Sequence, residues 1–265
     1  MKTILITGST DGIGRLAAIK LAKDGHHVIV HGRSSEKLEN TIAEIKDSTN
    51  NQKIDGFISD LSDFESIKKM ITRLSDTISK IDVLINNAGV FKSSVQSNQD
   101  GIDLRFTVNY LAPYELTNGL VPLLKNSNAP RVINLSSAAQ SSVNFEALWG
   151  EAMICNQEAY AQSKLALTMW SFAFAKSHPE IIIIAVNPGS LLNTNMVKEA
   201  YGHHWSSADK GANILYDLAV LDKYANSSGK YFDNDKGVFS NAHSDAYNEE
   251  KINGLISETE KILKG

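Results

Sequence analysis

The sequence predicts an α/β fold in which a doubly wound parallel sheet lies between two layers of helices. Short runs rich in Val and Ile alternate with amphipathic segments along all 265 residues. Such alternation is typical of a parallel sheet that is buried on both faces. The chain has no internal repeat, no low-complexity tract and no linker long enough to divide it, so we expect one domain over residues 1–265.

The first strand, turn and helix predict a binding site for phosphate. Residues 2–7 are an apolar β-branched run, and residues 15–22 repeat apolar residues at helical spacing. The turn between them has the spacing G-x3-G-x-G. Its glycines let the backbone approach a diphosphate, and the helix start offers free N–H groups and a positive dipole end. An ordinary tight corner is the alternative. The candidate binding residues are Gly8, Thr10, Asp11, Gly12, Ile13 and Gly14.

The remaining elements follow in order. Strands are predicted at residues 26–31, 53–59, 81–86, 131–135, 181–187 and 230–232. Helices are predicted at residues 34–46, 62–77, 99–125, 159–177 and 207–221, and from about residue 245 onward. Ser34 or Ser35 is expected to cap the first of these helices, and Ser62 with Glu65 to form a capping box at the second. Two prolines predict a kink or a division within the helix over residues 99–125.

Composition and charge narrow the class of protein. The net charge of −4 and the pI of about 6.0 provide no basic surface for nucleic acid or an anionic membrane. The single cysteine, Cys155, excludes an internal disulfide and fits a reducing compartment. We expect no signal peptide before the first strand, and the longest apolar run, residues 181–186, is too short to span a bilayer. We expect a cytoplasmic protein without a nucleic-acid partner or a membrane span.

Polar and glycine residues follow the predicted strands. They occupy residues 8–14, 32–34, 60–61, 86–89, 136–137 and 187–189, whereas the strand interiors are apolar. In a doubly wound sheet, ligands bind outside the carboxyl ends of the strands. We therefore expect these residues to converge on one crevice.

Tyr160 and Lys164 are the candidate catalytic pair. They lie four positions apart on the helix predicted at residues 159–177, and therefore share one face. A free phenol titrates near pH ~10, and a neighbouring cation lowers that pKa. Such a tyrosine can donate and accept a proton near neutrality. Taken alone, the pair is also compatible with two residues that share a face by accident; together with the glycine turn it predicts acid–base chemistry beside a nucleotide.

These motifs resemble those of the short-chain dehydrogenase/reductase family, in its single-domain branch, which has a Rossmann fold. The matching motifs are TGSTDGIG at residues 7–14, NNAG at 86–89, Asn109, INLSS at 133–137, YAQSK at 160–164 and NPG at 187–189. The resemblance implies an oxidoreductase that transfers a hydride between C4 of a nicotinamide cofactor and a carbonyl or alcohol carbon.

The resemblance also implies residue roles. Tyr160 is expected to be the general acid/base, and Lys164 to bind the nicotinamide ribose and lower the Tyr160 pKa. Ser137 is expected to hydrogen-bond the substrate carbonyl, and Asn109 to hold a water molecule that links Lys164 to solvent. Further cofactor contacts are expected from Asp60 and Leu61 near the adenine, from Asn87, Ala88 and Gly89 near the adenosine ribose, and from Pro188, Gly189 and Thr194 near the carboxamide. No metal site is expected.

Two segments depart from the common family pattern. The segment between Ser137 and Tyr160 is lengthened at about residues 141–156, as in members similar to retinol dehydrogenases, and the GKYF stretch at residues 229–232 shares that resemblance. Ser136 remains an alternative to Ser137 as the catalytic serine. The segment over residues 188–194 is also slightly longer than in many relatives, so the resemblance assigns the carboxamide contact less firmly to Thr194 than to Pro188 and Gly189.

The end of the second strand favours NADP(H), with NAD(H) possible. An acidic residue there would bind the ribose 2′-hydroxyl and repel a 2′-phosphate. Here the strand ends in Gly32, Arg33 and Ser34, and an arginine can form paired hydrogen bonds with phosphate oxygens. Arg15 could add positive charge. Solvated surface charges are the alternative for both arginines.

The substrate and the assembly follow from apolar segments. Segments 141–156 and 190–206 are expected to form the mouth of the crevice. Its aromatic and apolar side chains favour a small, fairly apolar ketone or aldehyde; they are Phe91, Phe145, Trp149, Met196, Tyr201 and Trp205. Residues 165–175 are apolar nearly all round the helix, which predicts burial on more than one side. We expect a homodimer or homotetramer; cover by the insertion or by the C-terminal helix is the alternative.

Two other functions are compatible with this fold. A catalytically silent NADP-sensing or scaffold protein would keep the fold, but such proteins usually lack the Tyr or the Lys. A sugar-nucleotide epimerase or dehydratase usually carries a larger C-terminal substrate region than the short segment that follows residue 232.

Overall fold

A computed structural model describes residues 1–264, with the backbone alone at positions 200 and 201; Gly265, the last residue of the predicted domain, lies outside the described residues. The strands are β1 Thr3–Ile6, β2 His27–Gly32, β3 Ile54–Ile58, β4 Val83–Asn86, β5 Arg131–Leu135, β6 Ile182–Asn187, β7 Lys230–Asp233 and β8 Val238–Ser240.

The helices alternate with these strands. They are α1 Gly12–Lys23, α2 Ser35–Thr49, α3 Phe64–Thr77, α4 Leu104–Phe106, α5 Ala112–Lys125, α6 Phe145–Leu148, α7 Asn156–Ser177, α8 Asn195–Tyr201, α9 Ala208–Val220 and α10 Glu249–Lys264. A π-helical turn, Thr107–Leu111, joins α4 to α5, and 3-10 turns occupy Asp222–Tyr224 and Ser244–Tyr247. Among residues 1–264, no helix combines the length and the apolar composition that a bilayer crossing requires.

The eight strands form one sheet in the order β3-β2-β1-β4-β5-β6-β7-β8. Neighbouring strands are parallel except for β8, which is antiparallel to β7. The order reverses between β1 and β4, and an open α/β sheet forms its ligand crevice at such a point. This architecture confirms the predicted doubly wound Rossmann fold.

Two apolar layers cover the sheet. Ile4 and Ile6 of β1 pack with residues of α1, α2 and α9, whereas Leu5 packs with residues of α3, α5 and α7. The alternation follows from the two-residue repeat of a β-strand, which sends successive side chains to opposite faces. The sheet therefore forms the middle of three layers.

The C-terminal elements cover the outer side of α7. Phe172 packs against Tyr247, with ring centroids 5.4 Å apart, and Leu255 of α10 is fully buried in the same core as α7. Tyr110 and Thr259 add a buried hydrogen bond of 2.6 Å between their hydroxyl oxygens. The chain itself thus covers the apolar face of α7 that suggested a homodimer. This face no longer supports the homodimer, which stays a prediction.

The predicted capping box at Ser62 is wrong. The N-cap of α3 is Asp63, whose carboxylate accepts a hydrogen bond from the Glu65 N–H at 2.9 Å. Ser62 instead donates from its N–H and its hydroxyl to Asp60 Oδ1, at 2.9 and 2.7 Å. Serine and aspartate suit an N-cap about equally well, and the helix begins after the aspartate one position later.

The helix predicted over residues 99–125 begins later and is divided. Asn98 Oδ1 accepts hydrogen bonds from the N–H groups of Asp100 and Ile102, both at 3.0 Å, and Gly101 has a φ of 81°. This turn prevents helix formation before Leu104, and the π-helical turn then divides the segment. Pro122 lies inside α5 without ending it.

Candidate active site

The glycine turn lies at the switch point of the sheet, where β1 and β4 end. Gly8 and Gly12 have φ values of 61° and 55°, which residues with a side chain rarely adopt. A β-carbon at Gly8 would lie 2.8 Å from the Ala88 Cα, and one at Gly14 would lie 2.3 Å from Asn87 Nδ2. Both positions therefore require glycine, and the turn forms a cradle that packs against the NNAG segment.

Asn87 fastens this cradle to the end of β4. Its Nδ2 donates to the carbonyl oxygens of Thr7 and Gly8, at 2.8 and 2.9 Å. The backbone N–H groups of Asn87 and Ala88 both donate to Thr7 Oγ1 at 3.0 Å. The asparagine that is expected near a ribose thus also determines the shape of the turn.

Helix α1 begins within the turn. Asp11 is its N-cap, and the Asp11 carboxylate accepts hydrogen bonds from the Gly12 N–H at 2.7 Å and from Asn195 Nδ2 of α8 at 2.8 Å. Gly12, Ile13 and Gly14 form the first turn of α1, where the N–H groups and the dipole favour an anion. The cradle therefore fits a diphosphate, and α8 contacts it through Asn195.

The end of β2 carries the predicted selectivity residues. A β-carbon at Gly32 would lie 2.6 Å from Thr10 Cγ2, so that Thr10 occupies the space beside it. Arg33 is exposed next to this contact, and the Ser34 hydroxyl caps α2 by accepting from the Lys37 N–H at 3.4 Å. The structure thus places Thr10 and Arg33 at one corner of the crevice.

Arg15 does not add a free positive charge there. It forms an ion pair with Glu44 of α2, and its Nε donates to Glu44 Oε2 at 2.8 Å. At the end of β3, Asp60 is exposed, while the Leu61 side chain is buried in the core on the α3 side of the sheet. A cofactor contact from Leu61 is therefore a backbone contact.

Tyr160 and Lys164 lie side by side on α7. Lys164 Nζ is 5.5 Å from the Tyr160 ring centroid and donates to the Leu135 carbonyl oxygen at 2.6 Å. The Lys164 side chain is buried, and burial lowers its pKa to about 7. The Phe91 ring meets the Tyr160 ring edge to face, with centroids 5.0 Å apart. The pair thus shares the expected face, at the end of β5.

Asn109 lies in the π-helical turn, a structure that occurs often at functional sites. Its Oδ1 accepts from the Val90 N–H at 2.7 Å, and its Nδ2 donates to the Val90 carbonyl and to Ser163 Oγ, both at 3.0 Å. A β-carbon at Gly89 would lie 3.4 Å from Asn109 Oδ1 and 3.6 Å from Lys164 Nζ. Gly89 therefore leaves open the space beside both residues.

The two candidate serines differ in their surroundings. Ser136 is buried against α7, where its hydroxyl contacts Thr168 Oγ1 at 2.7 Å and the Lys164 carbonyl oxygen at 3.2 Å. Ser137 is only half-buried, and its Oγ accepts from the Ala139 N–H at 3.1 Å. The geometry favours Ser137 as the serine that faces a substrate.

The loop after β6 carries the predicted carboxamide contacts. Gly189 has a φ of 123°, and its N–H donates to Asn187 Oδ1 at 3.2 Å. Thr194 caps α8, with its Oγ1 accepting from the Val197 N–H at 3.3 Å. Thr194 Cγ2 also lies 3.7 Å from the position of a β-carbon at Gly12, so the loop reaches the glycine turn.

A clamp on this loop was not predicted from the sequence. Asp235, in the turn between β7 and β8, accepts from the Ser190 N–H at 2.9 Å, from the Ser190 hydroxyl at 2.5 Å and from Asn187 Nδ2 at 2.9 Å. Asn234 Nδ2 donates to the Pro188 carbonyl at 2.8 Å. The sequence signal was the D-N-D triplet directly after the last predicted strand, which turns the chain back toward residues 187–190.

Two aromatic residues predicted at the mouth contact α10. Trp149 Nε1 donates to Glu258 Oε2 at 2.9 Å, and a β-carbon at Gly254 would lie 3.3 Å from the Phe145 ring. Phe145 and Trp149 therefore pack against α10, and their place at the mouth stays a prediction. The Tyr201 side chain, also expected at the mouth, lies outside the described residues. Met196 does reach the site, because its Cε lies 3.7 Å from the position of a β-carbon at Gly89.

Comparisons with known proteins point to one family. Residues 2–204 match the family model described as short chain dehydrogenase. Human retinol dehydrogenase 13 is 31% identical over 99% of this chain and 84% of its own length. Human polyprenol dehydrogenase is 31% identical over 89% of this chain and 77% of its own length.

Solved structures share the architecture as well. A protein from Mycobacterium paratuberculosis superposes with a TM-score of 0.81 and 25% identity, covering 100% of this chain and 94% of that chain. A short chain dehydrogenase from Escherichia coli CFT073, complexed with NADPH, gives a TM-score of 0.73 and 27% identity over 88% of this chain and 96% of its own.

Proposed function

The chain belongs to the short-chain dehydrogenase family, and from this premise we propose that it is an NADP(H)-dependent oxidoreductase that interconverts a small, fairly apolar ketone or aldehyde and its alcohol. The observation that carries the proposal is the placement of Tyr160 and the buried Lys164 beside the glycine turn, whose shape requires glycine at positions 8 and 14. When bound, the cofactor supplies or accepts the hydride through nicotinamide C4.

Residues of the chain perform the proton chemistry. In the reducing direction, the Tyr160 hydroxyl donates its proton to the carbonyl oxygen, and the Ser137 hydroxyl donates a hydrogen bond to the same oxygen. The Lys164 ammonium stabilises the phenolate that Tyr160 becomes. Lys164 is oriented by the Leu135 carbonyl, and the described carboxylates add nothing to its lowered pKa, which burial alone explains.

The corner at β2 supports NADP(H). Thr10 fills the space beside Gly32, so an acidic side chain cannot stand there without displacing it. Arg33 is exposed at that corner, where a guanidinium can bind a 2′-phosphate. The relatives from Escherichia coli, complexed with NADPH, and from Shigella flexneri, complexed with NADP, support the same choice.

The apolar substrate class rests on the surroundings of Tyr160. Phe91 packs edge to face on the Tyr160 ring and is nearly buried, so the wall beside the reacting hydroxyl is aromatic. Retinol and polyprenol, which the names of two relatives specify, are both apolar alcohols. We expect this chain to take a carbonyl or alcohol on an apolar carbon skeleton.

Substitution of Tyr160 tests the proposal against a silent sensor. Oxidation of NADPH is followed across a panel of ketones and aldehydes with the wild-type protein, with Tyr160→Phe and with Tyr114→Phe as a matched control. Tyr114 is half-buried, packs on Trp170 and has the Glu260 carboxylate of α10 near its phenol. We expect Tyr160→Phe to lower turnover about 10²–10⁴-fold while calorimetry shows NADPH binding retained. A wild-type protein that binds NADPH but reduces nothing would support the sensor.

Three broader properties belong to the same proposal. Residues 1–265 form one domain, the protein is cytoplasmic, and it assembles as a homodimer or homotetramer. Light scattering on the purified protein tests the assembly, because a mass of about 29.0 kDa would show a monomer. Cell fractionation tests the location.

A further inference from the structure

His31 is a buried histidine to which the proposed chemistry assigns no role. It is the last residue but one of β2, and only 3% of its surface is exposed. Its Nδ1 accepts a hydrogen bond from the Gly8 N–H at 3.0 Å, and its Nε2 lies 3.2 Å from the Ser59 carbonyl oxygen. A carbonyl can only accept and an N–H can only donate, so both contacts form only in the neutral ring with its proton on Nε2.

The contact to Gly8 sets the start of the glycine turn. Gly8 adopts a φ of 61°, and the N–H of the next residue, Ser9, donates to the His31 carbonyl at 3.0 Å. The His31 N–H donates to Ser9 Oγ at 2.9 Å, and Ser9 Oγ donates to the Ile6 carbonyl at 2.7 Å. His31 therefore holds the turn from its ring and from both of its backbone groups.

We propose that His31 is a positioning residue of the cofactor site, whose neutral imidazole fixes the Gly8 amide and with it the turn that cradles the diphosphate. The inference rests on the proposed function, because the turn is assigned to the cofactor there. His31 does not touch the reacting atoms, and its ring acts through the backbone of Gly8.

The charge state of the ring is part of this role. Protonation at Nδ1 would place a second donor against the Gly8 N–H and remove the acceptor that the turn needs. Burial lowers the His31 pKa to about 4, while the Ser59 carbonyl and the Asp60 carboxylate, the charged group that acts on the ring, raise it only in part. The ring is therefore neutral, and the acceptor is present, throughout the physiological range.

Two substitutions separate the two ring nitrogens. In His31→Asn, the side-chain oxygen reaches the position of Nδ1 and can accept from Gly8, whereas in His31→Gln the longer amide reaches the position of Nε2 and leaves Gly8 without its acceptor. Calorimetry measures the affinity of both variants and of the wild-type protein for NADPH and for adenosine 2′-monophosphate, which lacks the diphosphate.

We expect His31→Gln to bind NADPH about tenfold more weakly than the wild-type protein, because a buried N–H is left unpaired, and His31→Asn to bind within about threefold. Affinity for adenosine 2′-monophosphate stays equal in all three proteins. Equal NADPH affinities in the two variants, or a parallel loss for both ligands, would overturn the inference. If His31→Gln does not fold, His31→Leu, which fills the space without an acceptor, takes its place: a tenfold loss of NADPH affinity relative to His31→Asn supports the inference, and equal affinities overturn it.

Failure of the proposed function gives a different result. If the wild-type protein binds no pyridine nucleotide, the proposed function fails, and the role of His31 is then read from amide hydrogen exchange at Gly8. Exchange about tenfold faster in His31→Gln than in His31→Asn would retain His31 as the residue that holds the turn. Equal rates would remove that role too.

Discussion

Replacing Lys164 by methionine is expected to abolish a pH dependence of stability in the cofactor-free protein. Lys164 is 4% exposed, and burial lowers its pKa from 10.5 to about 7. Between these two values, the unfolded chain binds a proton that the folded chain does not. Because the unfolded state binds more protons there, the free energy of unfolding rises with pH over that range.

The size of the effect follows from the two pKa values. One pKa unit corresponds to about 1.4 kcal/mol, so this lysine costs the folded state about 4 kcal/mol at pH 7 and about 2 kcal/mol at pH 9. The wild-type protein is thus expected to gain about 2 kcal/mol of unfolding free energy between these pH values from this group. Methionine has a similar length and no charge, so the variant lacks the gain.

Urea denaturation at pH 7 and pH 9, followed by circular dichroism, measures the difference. Lys176→Met is the matched control, since Lys176 lies on the same helix but is exposed and ion-paired with Glu249. The control should keep the wild-type pH dependence. If Lys164→Met gains as much stability between pH 7 and pH 9 as the wild-type protein does, the buried ammonium is not the cause and the reasoning fails.

Three further substitutions test other parts of the structure. Gly32→Asp is expected to lower the preference for NADPH over NADH in kcat/KM about tenfold, because the carboxylate repels the 2′-phosphate. Gly32→Ala displaces Thr10 equally but adds no charge, so it should keep the preference of the wild-type protein. His31 has a pKa of about 4 in the folded protein and 6.5 in the unfolded chain. Protonation of His31 is therefore expected to lower the free energy of unfolding by about 3 kcal/mol as the pH falls from 6.5 to 4, and His31→Asn should remove this loss. Asp235→Ala frees the Ser190 loop, and we expect it to lower the free energy of unfolding by about 1–3 kcal/mol and kcat/KM about tenfold.

Each of these predictions has an outcome that contradicts it. Equal cofactor selectivity in the two Gly32 variants would show that a negative charge at position 32 does not determine the choice of nucleotide. An acid denaturation profile of His31→Asn that matches the wild-type profile would mean that another group titrates in this range. Unchanged kinetics in Asp235→Ala would show that the loop after β6 keeps its position without the clamp.

The predictable part of the fold was the part that periodicity and glycine chemistry determine. The strand of Ile4 to Ile6 and the turn of Gly8 to Gly14 follow from β-branched runs and from backbone needs that only glycine meets. Tyr160 and Lys164 share a face because helical spacing is regular. Such local rules carry over to the structure because the packing reinforces them.

The missed features depend on competition between neighbours or on contacts distant in sequence. Asp63 caps α3 in place of Ser62. Both residue types suit an N-cap, and the sequence alone does not rank them. The π-helical turn at Asn109 inserts one extra residue into a helix, and helix propensities do not predict such an insertion. Phe145 contacts α10, and Asp235 contacts the loop after β6. Both contacts join segments distant in sequence, which only the tertiary fold brings together.

The cover on α7 bears on where this chain can be cut. The family match ends at residue 204, yet Leu255 and Thr259 complete the packing around α7, and Asp235 secures the loop beside the crevice. A shortened version that stops at the match would keep the motifs from the glycine turn to NPG and lose the helix that covers the outer side of α7. The tail beyond the recognised motifs is therefore an integral part of the globule, and a fusion partner is better joined at either terminus than in place of α10.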